Sequence, residues 1–327
     1  MVSRYILFIL LLLTVDASAQ RERRDSLLQI GYVMRERGNY IEAMRFFAEV
    51  GGDVGTLEEA QTRYEMGEMN RAIRLCKQLI EHESQCSDDA NLIIARAREA
   101  QGYKRVATSK YKKLTRKGNA EALYYWALML QRSGHNAKAT EMLQKSIRAN
   151  SANRNPHELL AEIMIDNGER YRAILPLTYS LLLPDDTASL RRSAMQLEFL
   201  WRPKANLLKR IANSNLDKDE KSNAFARMMD SYIYHWTDTA KVRSSSIRTF
   251  TPILINKLKE NQMMQMDWWQ VVYADFLLSI EEAGHTEAFL YHITAALTPE
   301  ETKSWIESHE SEYASFLLWL EIVGGSR

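Results

Sequence analysis

The residues best suited to acid–base, nucleophilic or metal chemistry are few in this chain and widely spaced. Its seven histidines form no His-Glu-x-x-His pair, the spacing that places two imidazoles beside one zinc ion. His285 and His292 lie two helical turns apart, too far to share a metal ion without help from other residues. No Gly-rich phosphate loop and no Gly-x-Ser-x-Gly elbow occurs. We therefore predict a protein that is not an enzyme and has no catalytic residue, metal or cofactor.

The first 19 residues read as a secretory signal peptide. An apolar run from Tyr5 to about Val15 follows one early arginine, and Ala-Ser-Ala at residues 17–19 offers the small residues that signal peptidase accepts. This run is shorter than the roughly 20 apolar residues that a membrane span needs. We expect cleavage before Gln20 and export to the periplasm or the medium, with no transmembrane span afterwards. An uncleaved signal anchor is the alternative.

Composition favours a folded, helical protein. The chain has 43 Lys and Arg against 42 Asp and Glu, so its overall charge gives no support for nucleic-acid binding. Its 13 glycines and 6 prolines are few for 327 residues, and alternating β-branched stretches are scarce. These features predict an all-α fold with short connections.

A repeat of 29 to 35 residues runs through the first half of the chain. Its most regular landmark is a glycine after an apolar helical segment, at Gly38, Gly67, Gly102, Gly134 and Gly168. A small residue lies seven positions before each glycine, at Gly31, Ala60, Ala95, Ala127 and Ala161. An alanine lies five positions after each, at Ala43, Ala72, Ala107, Ala139 and Ala173. Two helices that cross closely need small side chains at the crossing, so this spacing predicts stacked helical hairpins.

This joint pattern resembles the tetratricopeptide repeat family, which has small residues at positions 8 and 20, glycine at 15, a large apolar residue at 24 and proline near 32. The resemblance implies a right-handed α-solenoid of antiparallel hairpins. Residues 20–184 would hold five such repeats, and residues 185–327 would continue the solenoid as divergent helical repeats. After Pro184 the glycine landmark is no longer recognisable in the sequence.

The resemblance also implies where a partner binds, because these repeats use the side chains of their first helices that are not needed for packing. Such a groove would bind a protein or peptide and would make the chain a scaffold or adaptor of the cell envelope. The predicted groove residues are Tyr32, Arg35, Gln61, Tyr64, Arg96, Glu99, Leu128, Gln131, Glu162 and Asp166. Oligomeric state is left open.

The C-terminal half suggests an alternative function. Six of the seven tryptophans lie beyond residue 200, and exposed aromatic rings could bind glycans or another cell-envelope polymer. The other interpretation is that these large side chains fill gaps between irregular hairpins.

Two further features have more than one interpretation. Cys76 and Cys86 could form a disulfide in an exported protein, worth roughly 3 kcal/mol from loop entropy, but Cys76 also stands at the buried position 24 of its repeat. The segment at residues 103–118, YKRVATSKYKKLTRKG, carries seven basic residues and no acid. It predicts an exposed basic helix face that serves either solubility or docking to an acidic partner or anionic surface.

Overall fold

The structure is a computed structural model and describes residues 20–202, 220–239, 245–261 and 267–325. Within these ranges the chain forms helices and turns and no strand, so the predicted all-α class is confirmed. The predicted signal peptide lies outside the described residues. The helices divide into two compact units, one ending at Tyr125 and the other beginning at Trp126.

The first unit consists of three hairpins and the start of a seventh helix. Its helices are α1 (20–36), α2 (Tyr40–Val50), α3 (Gly52–Glu65), α4 (Met69–Glu81), α5 (Ser87–Ala100), α6 (Lys104–Thr115) and the beginning of α7 (Ala120–Arg132). Helix α3 packs on α4 and α5 on α6, and α3 also contacts α5. Successive hairpins therefore pack side by side, as in an α-solenoid.

The second unit continues the same helical pairing. It contains the end of α7, then α8 (Asn136–Ala149), α9 (Arg154–Asn167), α10 (Arg170–Ser180), α11 (Thr187–Leu200), α12 (Glu220–Thr239), α13 (Ser246–Glu260), a π-helical turn (Gln270–Ala274), α14 (Asp275–Glu282), α15 (Thr286–Thr294), α16 (Pro299–Ser308) and α17 (Glu310–Gly325). The most extensive pairing is between α9 and α10.

The glycine turns have the conformation that the repeat requires. All five hairpin glycines have φ between 75° and 85°, a left-handed conformation that strains any residue with a Cβ. The turn after α1 is representative: the Gly38 amide donates to the Arg35 carbonyl and the Asn39 amide to the Met34 carbonyl, both at 2.9 Å. These bonds satisfy the last carbonyls of the first helix and reverse the chain into the second.

The small residues lie where the helices cross. The nine alanines of the pattern are fully buried, as is Phe47 at position 24 of the first repeat. A Cβ on Gly31 would come within 2.4 Å of the Phe47 ring, so glycine here lets the ring of α2 pack directly on the backbone of α1. The predicted packing role of the small residues is confirmed.

The glycine landmark does return in the second half, at Gly284 between α14 and α15, where φ is 74°. This turn does not match the repeat pattern in the sequence, because the positions seven before and five after the glycine are Leu277 and Phe289 and not small residues. Both side chains are buried. Alignment on small residues therefore missed a hairpin that uses the same turn with bulkier packing.

Aromatic side chains build much of the core of the second unit. The buried His157 bonds through Nδ1 to the Tyr273 hydroxyl at 2.8 Å and through Nε2 to the Ser151 carbonyl at 2.9 Å, and it stacks on Tyr179. Burial lowers the pKa of His157 to about 4, so the ring is neutral near pH 7. It joins α9 and α10 to the π-helical turn.

The tryptophans beyond residue 200 take part in this core. Trp201, Trp269 and Trp305 are buried, whereas Trp236, Trp268 and Trp319 are half-buried. None presents a fully exposed indole within the described residues. This burial fits the interpretation that the rings fill gaps between helices.

We predict that Gly55→Ala destabilises the protein. Alanine favours helix by about 1 kcal/mol over glycine, but a Cβ at Gly55 would lie 2.3 Å from the Phe47 carbonyl oxygen. Because that atom belongs to the backbone, relief requires α2 and α3 to separate, at about 1–3 kcal/mol. Urea denaturation followed by circular dichroism measures the change, and a variant more stable than the wild type would contradict this packing.

Candidate functional site

Side chains from α1, α3, α5 and the start of α7 form one connected surface in the first unit. We call it the first-helix face, and its residues are Tyr32, Arg35, Glu58, Gln61, Tyr64, Glu65, Asp89, Arg96, Glu121 and Tyr125. They lie on successive first helices of the hairpins, where the repeat leaves side chains unused by packing.

Glu58 joins the first two hairpins. Its carboxylate accepts a hydrogen bond from the Tyr32 hydroxyl at 3.1 Å and forms an ion pair with the Arg35 guanidinium at 2.6 Å. All three side chains are partly shielded from solvent. Arg35 also lies 3.7 Å from a Glu65 carboxylate oxygen. Two residues predicted for the groove, Tyr32 and Arg35, are thus fixed by one carboxylate of the next repeat.

Gln61 carries the network to the third hairpin. Its amide nitrogen donates to Glu65 at 2.7 Å, and its amide oxygen accepts from the Arg96 guanidinium at 3.1 Å. Donor and acceptor ends of one side chain therefore link residues of α3 and α5.

Arg96 lies between two tyrosine rings. Its guanidinium carbon is 4.5 Å from the Tyr64 ring centre and 4.1 Å from that of Tyr125. Each contact of this kind contributes about 0.5–2 kcal/mol, depending on how far water is excluded. The stack joins α3, α5 and α7 and holds both rings in place.

Two carboxylates on this face have no ion-pair partner among the described residues, Asp89 on α5 and Glu121 on α7. Burial raises the pKa of Glu121; the nearby Arg96 opposes this shift and Asp89 adds to it. Burial also raises the pKa of Asp89, with further contributions from Asp88 and Glu58. Both carboxylates are nevertheless exposed to solvent, and their neighbours desolvate them only in part.

The structure brings together half of the predicted groove residues, namely Tyr32, Arg35, Gln61, Tyr64 and Arg96. Glu99 accepts a hydrogen bond from the buried Tyr111 hydroxyl at 2.9 Å, within its own hairpin. The remaining four lie in the second unit: Leu128 and Gln131 are half-buried on α7, and Glu162 and Asp166 are exposed on α9.

The sequence interpretation missed Glu58, Asp89, Glu121 and Tyr125. Asp89 and Glu121 lie seven residues before the predicted Arg96 and Leu128, and Glu58 and Tyr125 lie three before Gln61 and Leu128. Residues three and seven apart share one helix face. Extending each predicted position upstream by one and two turns would have found them.

The second unit has an open cavity of about 570 Å³ between α9 and α11. Its lining includes Glu158 and Glu162 on one side and the exposed apolar side chains of Met195 and Phe199 on the other. The buried Arg154 binds Glu158 at 2.8 Å and so fixes its carboxylate. Although Glu162 is exposed, partial desolvation by its neighbours, together with the charges of Glu158 and Asp166, raises the pKa of its carboxyl group. One predicted residue, Glu162, therefore lines a real concavity.

The two cysteines differ in how far they are buried. Burial raises the pKa of Cys76 to about 12, so its thiol is protonated and inert near pH 7. Cys76 belongs to a buried apolar cluster of the first unit, and the half-buried Cys86 packs against that cluster. Both are free thiols in the structure, and the bond between them stays a prediction.

The described ranges contain neither a metal-binding cluster nor a membrane-spanning helix. No group of three or more His, Cys, Asp or Glu side chains there is arranged to hold a metal ion. No helix in those ranges has the length and hydropathy needed to cross a bilayer.

Comparison with known proteins gives structural likenesses only. No protein-family model and no curated protein matches the sequence. A crystal structure of MamA is 21% identical and matches 49% of this chain and 91% of its own, with a TM-score of 0.34. The C-terminal part of a TPR repeat-containing protein from Cytophaga hutchinsonii is 11% identical and matches 85% and 98%, with a TM-score of 0.38. Since both scores are below 0.5, the fold assignment rests on the hairpins themselves.

We predict that Arg96→Met lowers the free energy of unfolding by about 1–3 kcal/mol. Methionine keeps much of the volume but removes both ring contacts and the hydrogen bond to Gln61. Urea denaturation followed by circular dichroism tests this, with Arg74→Met as the control, because Arg74 is exposed and unpaired in the described structure. Equal stability of the two variants would show that the Arg96 stack does not hold the helices together.

Proposed function

We propose that this protein is a non-enzymatic interaction scaffold that binds a protein or peptide segment along the first-helix face. The observation that carries the proposal is the convergence of Tyr32, Arg35, Gln61, Tyr64 and Arg96 from three successive hairpins into one network. Residues that only stabilise separate hairpins would not need to be joined across repeats. The same convergence suits a ligand that runs along several repeats.

The face is well suited to a peptide because its large side chains are already ordered. Tyr64 and Tyr125 are held against Arg96, so little rotamer entropy is lost when a ligand packs on them. The Arg35 charge is offset by Glu58, whereas Asp89 and Glu121 remain without ion pairs. We therefore expect the bound segment to be basic, since its cations would meet the unpaired carboxylates.

The proposal places the protein in the cell envelope or outside the cell. The support is the sequence of residues 1–19, with its short apolar run and the small residues before Gln20. A protein or peptide partner is favoured over a glycan, because the tryptophans that would bind sugar are buried or half-buried.

A charge reversal on the first-helix face tests the proposal. Peptides are selected on the purified protein from a random phage-displayed library, and their dissociation constants are measured by fluorescence anisotropy. We predict enrichment of basic peptides and at least a tenfold loss of affinity, equivalent to about 1.4 kcal/mol, in the double variant Asp89→Lys with Glu121→Lys.

The matched control is Glu49→Lys with Glu81→Lys, which makes the same change in net charge on the exposed surfaces of α2 and α4. This control should bind within about twofold of the wild type, because exposed charges far from the ligand are screened. Equal losses of peptide affinity in both double variants would reject the first-helix face as the binding site. So would selected peptides whose affinity changes in neither variant.

A further inference from the structure

The second helices of the first unit carry a surface of the opposite sign. We call it the basic face, and it consists of Arg74 and Lys77 on α4, Arg105 and Lys113 on α6, and Arg116 directly after the end of α6. All five side chains are exposed, and none has an ion pair or hydrogen bond to another described residue.

Helix geometry directs these cations away from the core. In α6 the buried residues are Ala107, Tyr111 and Leu114, whose spacing of four and three residues marks one stripe. Arg105 and Arg116 lie on the opposite side of that helix, with Lys113 beside them. The segment Lys104–Thr115 contains no acidic residue, so its outer surface has no internal counter-charge.

Helices α4 and α6 both pack against α5, so their exposed cations lie on neighbouring hairpins. The Gln101 amide, just beyond α5, donates to Asn70 of α4 at 2.9 Å. The pKa of Lys110 is lowered by burial first, and then by Lys113, Arg98 and Lys77. The direction of this shift is consistent with cations of α4, α5 and α6 lying near Lys110.

Two ion pairs flank the basic face along the sequence. Arg71 pairs with Glu68 at 2.7 Å and Lys117 with Asp88 at 2.5 Å, whereas the five residues of the basic face between them are unpaired. Two apolar side chains border the basic face at the start of α6, with Tyr103 55% and Val106 45% exposed. Exposed tyrosine and valine beside arginine suit the headgroup region of a bilayer.

We propose that the basic face docks the protein on a bilayer that contains anionic phospholipids. The cations come from two helices that pack on the same neighbour, α5, and therefore match an extended array of phosphates better than a single acidic segment. Each cation near such a surface strengthens binding about fivefold, and Tyr103 and Val106 add apolar contact. The first-helix face belongs to other helices, so its own site stays available during docking.

Vesicle co-sedimentation tests the proposal with the purified protein. The protein should sediment with vesicles of phosphatidylcholine and phosphatidylglycerol at low salt, should be released at high salt, and should not sediment with phosphatidylcholine alone. The variant Arg105→Glu with Lys113→Glu and Arg116→Glu should lose about 100-fold or more in partition coefficient.

A variant with the same change in net charge serves as control: Arg148→Glu with Arg191→Glu and Arg227→Glu, three exposed residues on α8, α11 and α12. It should retain most of the wild-type partitioning, and far-UV circular dichroism should show both variants folded. Equal loss in both variants, or equal binding to neutral vesicles, would overturn the proposal. Binding to polyglutamate without binding to anionic vesicles would also overturn it and would indicate an acidic protein instead.

Discussion

The close crossing of paired helices at small side chains is the constraint on which the rest of this structure depends. Where Gly31 meets Phe47, the ring of one helix packs on the backbone of the other, and the alanines of later repeats allow comparably close approach. Dispersion and apolar burial are large only when surfaces come this near. Replacing any of these small residues with a larger one would push apart a hairpin and the neighbours packed on it.

The polar network follows from that spacing. Because hairpins pack side by side, a tyrosine or arginine on one first helix reaches a carboxylate or amide on the next, as Tyr32 reaches Glu58 and Arg96 reaches Gln61. Such bonds stabilise the protein modestly, by about 1 kcal/mol each. Their larger effect is to fix the rotamers of the tyrosines, so the first-helix face is ordered in the absence of a ligand.

Charge distinguishes two surfaces of the first unit, the first-helix face and the basic face. Among the described residues, Asp89 and Glu121 of the first-helix face have no ion-pair partner, and neither do the five cations of the basic face. A basic peptide and an anionic bilayer would therefore not compete for one surface. Loss of peptide binding at the first-helix face would therefore not require loss of bilayer docking at the basic face, or the reverse.

Much of this fold could be predicted from the sequence, because a glycine that needs positive φ and an alanine at a helix crossing leave few alternatives. The hairpin at Gly284 escaped prediction because bulky residues fill positions that are small elsewhere. In the first-helix face, the repeat pattern correctly located Tyr64 and Arg96. It could not show that Tyr125 closes the stack, because that contact depends on how α5 and α7 pack. Asp89 and Glu121 were missed for a simpler reason, since the expected positions covered only part of each helix.

Site-specific photo-cross-linking tests the central claim most directly. A photoreactive residue placed at Glu65, on the first-helix face, should cross-link to a peptide selected on the wild-type protein. The same residue placed at Ser109, on the exposed side of α6, should give no cross-link. Cross-linking from Ser109 and not from Glu65 would contradict the account and would move the binding surface to the second helices.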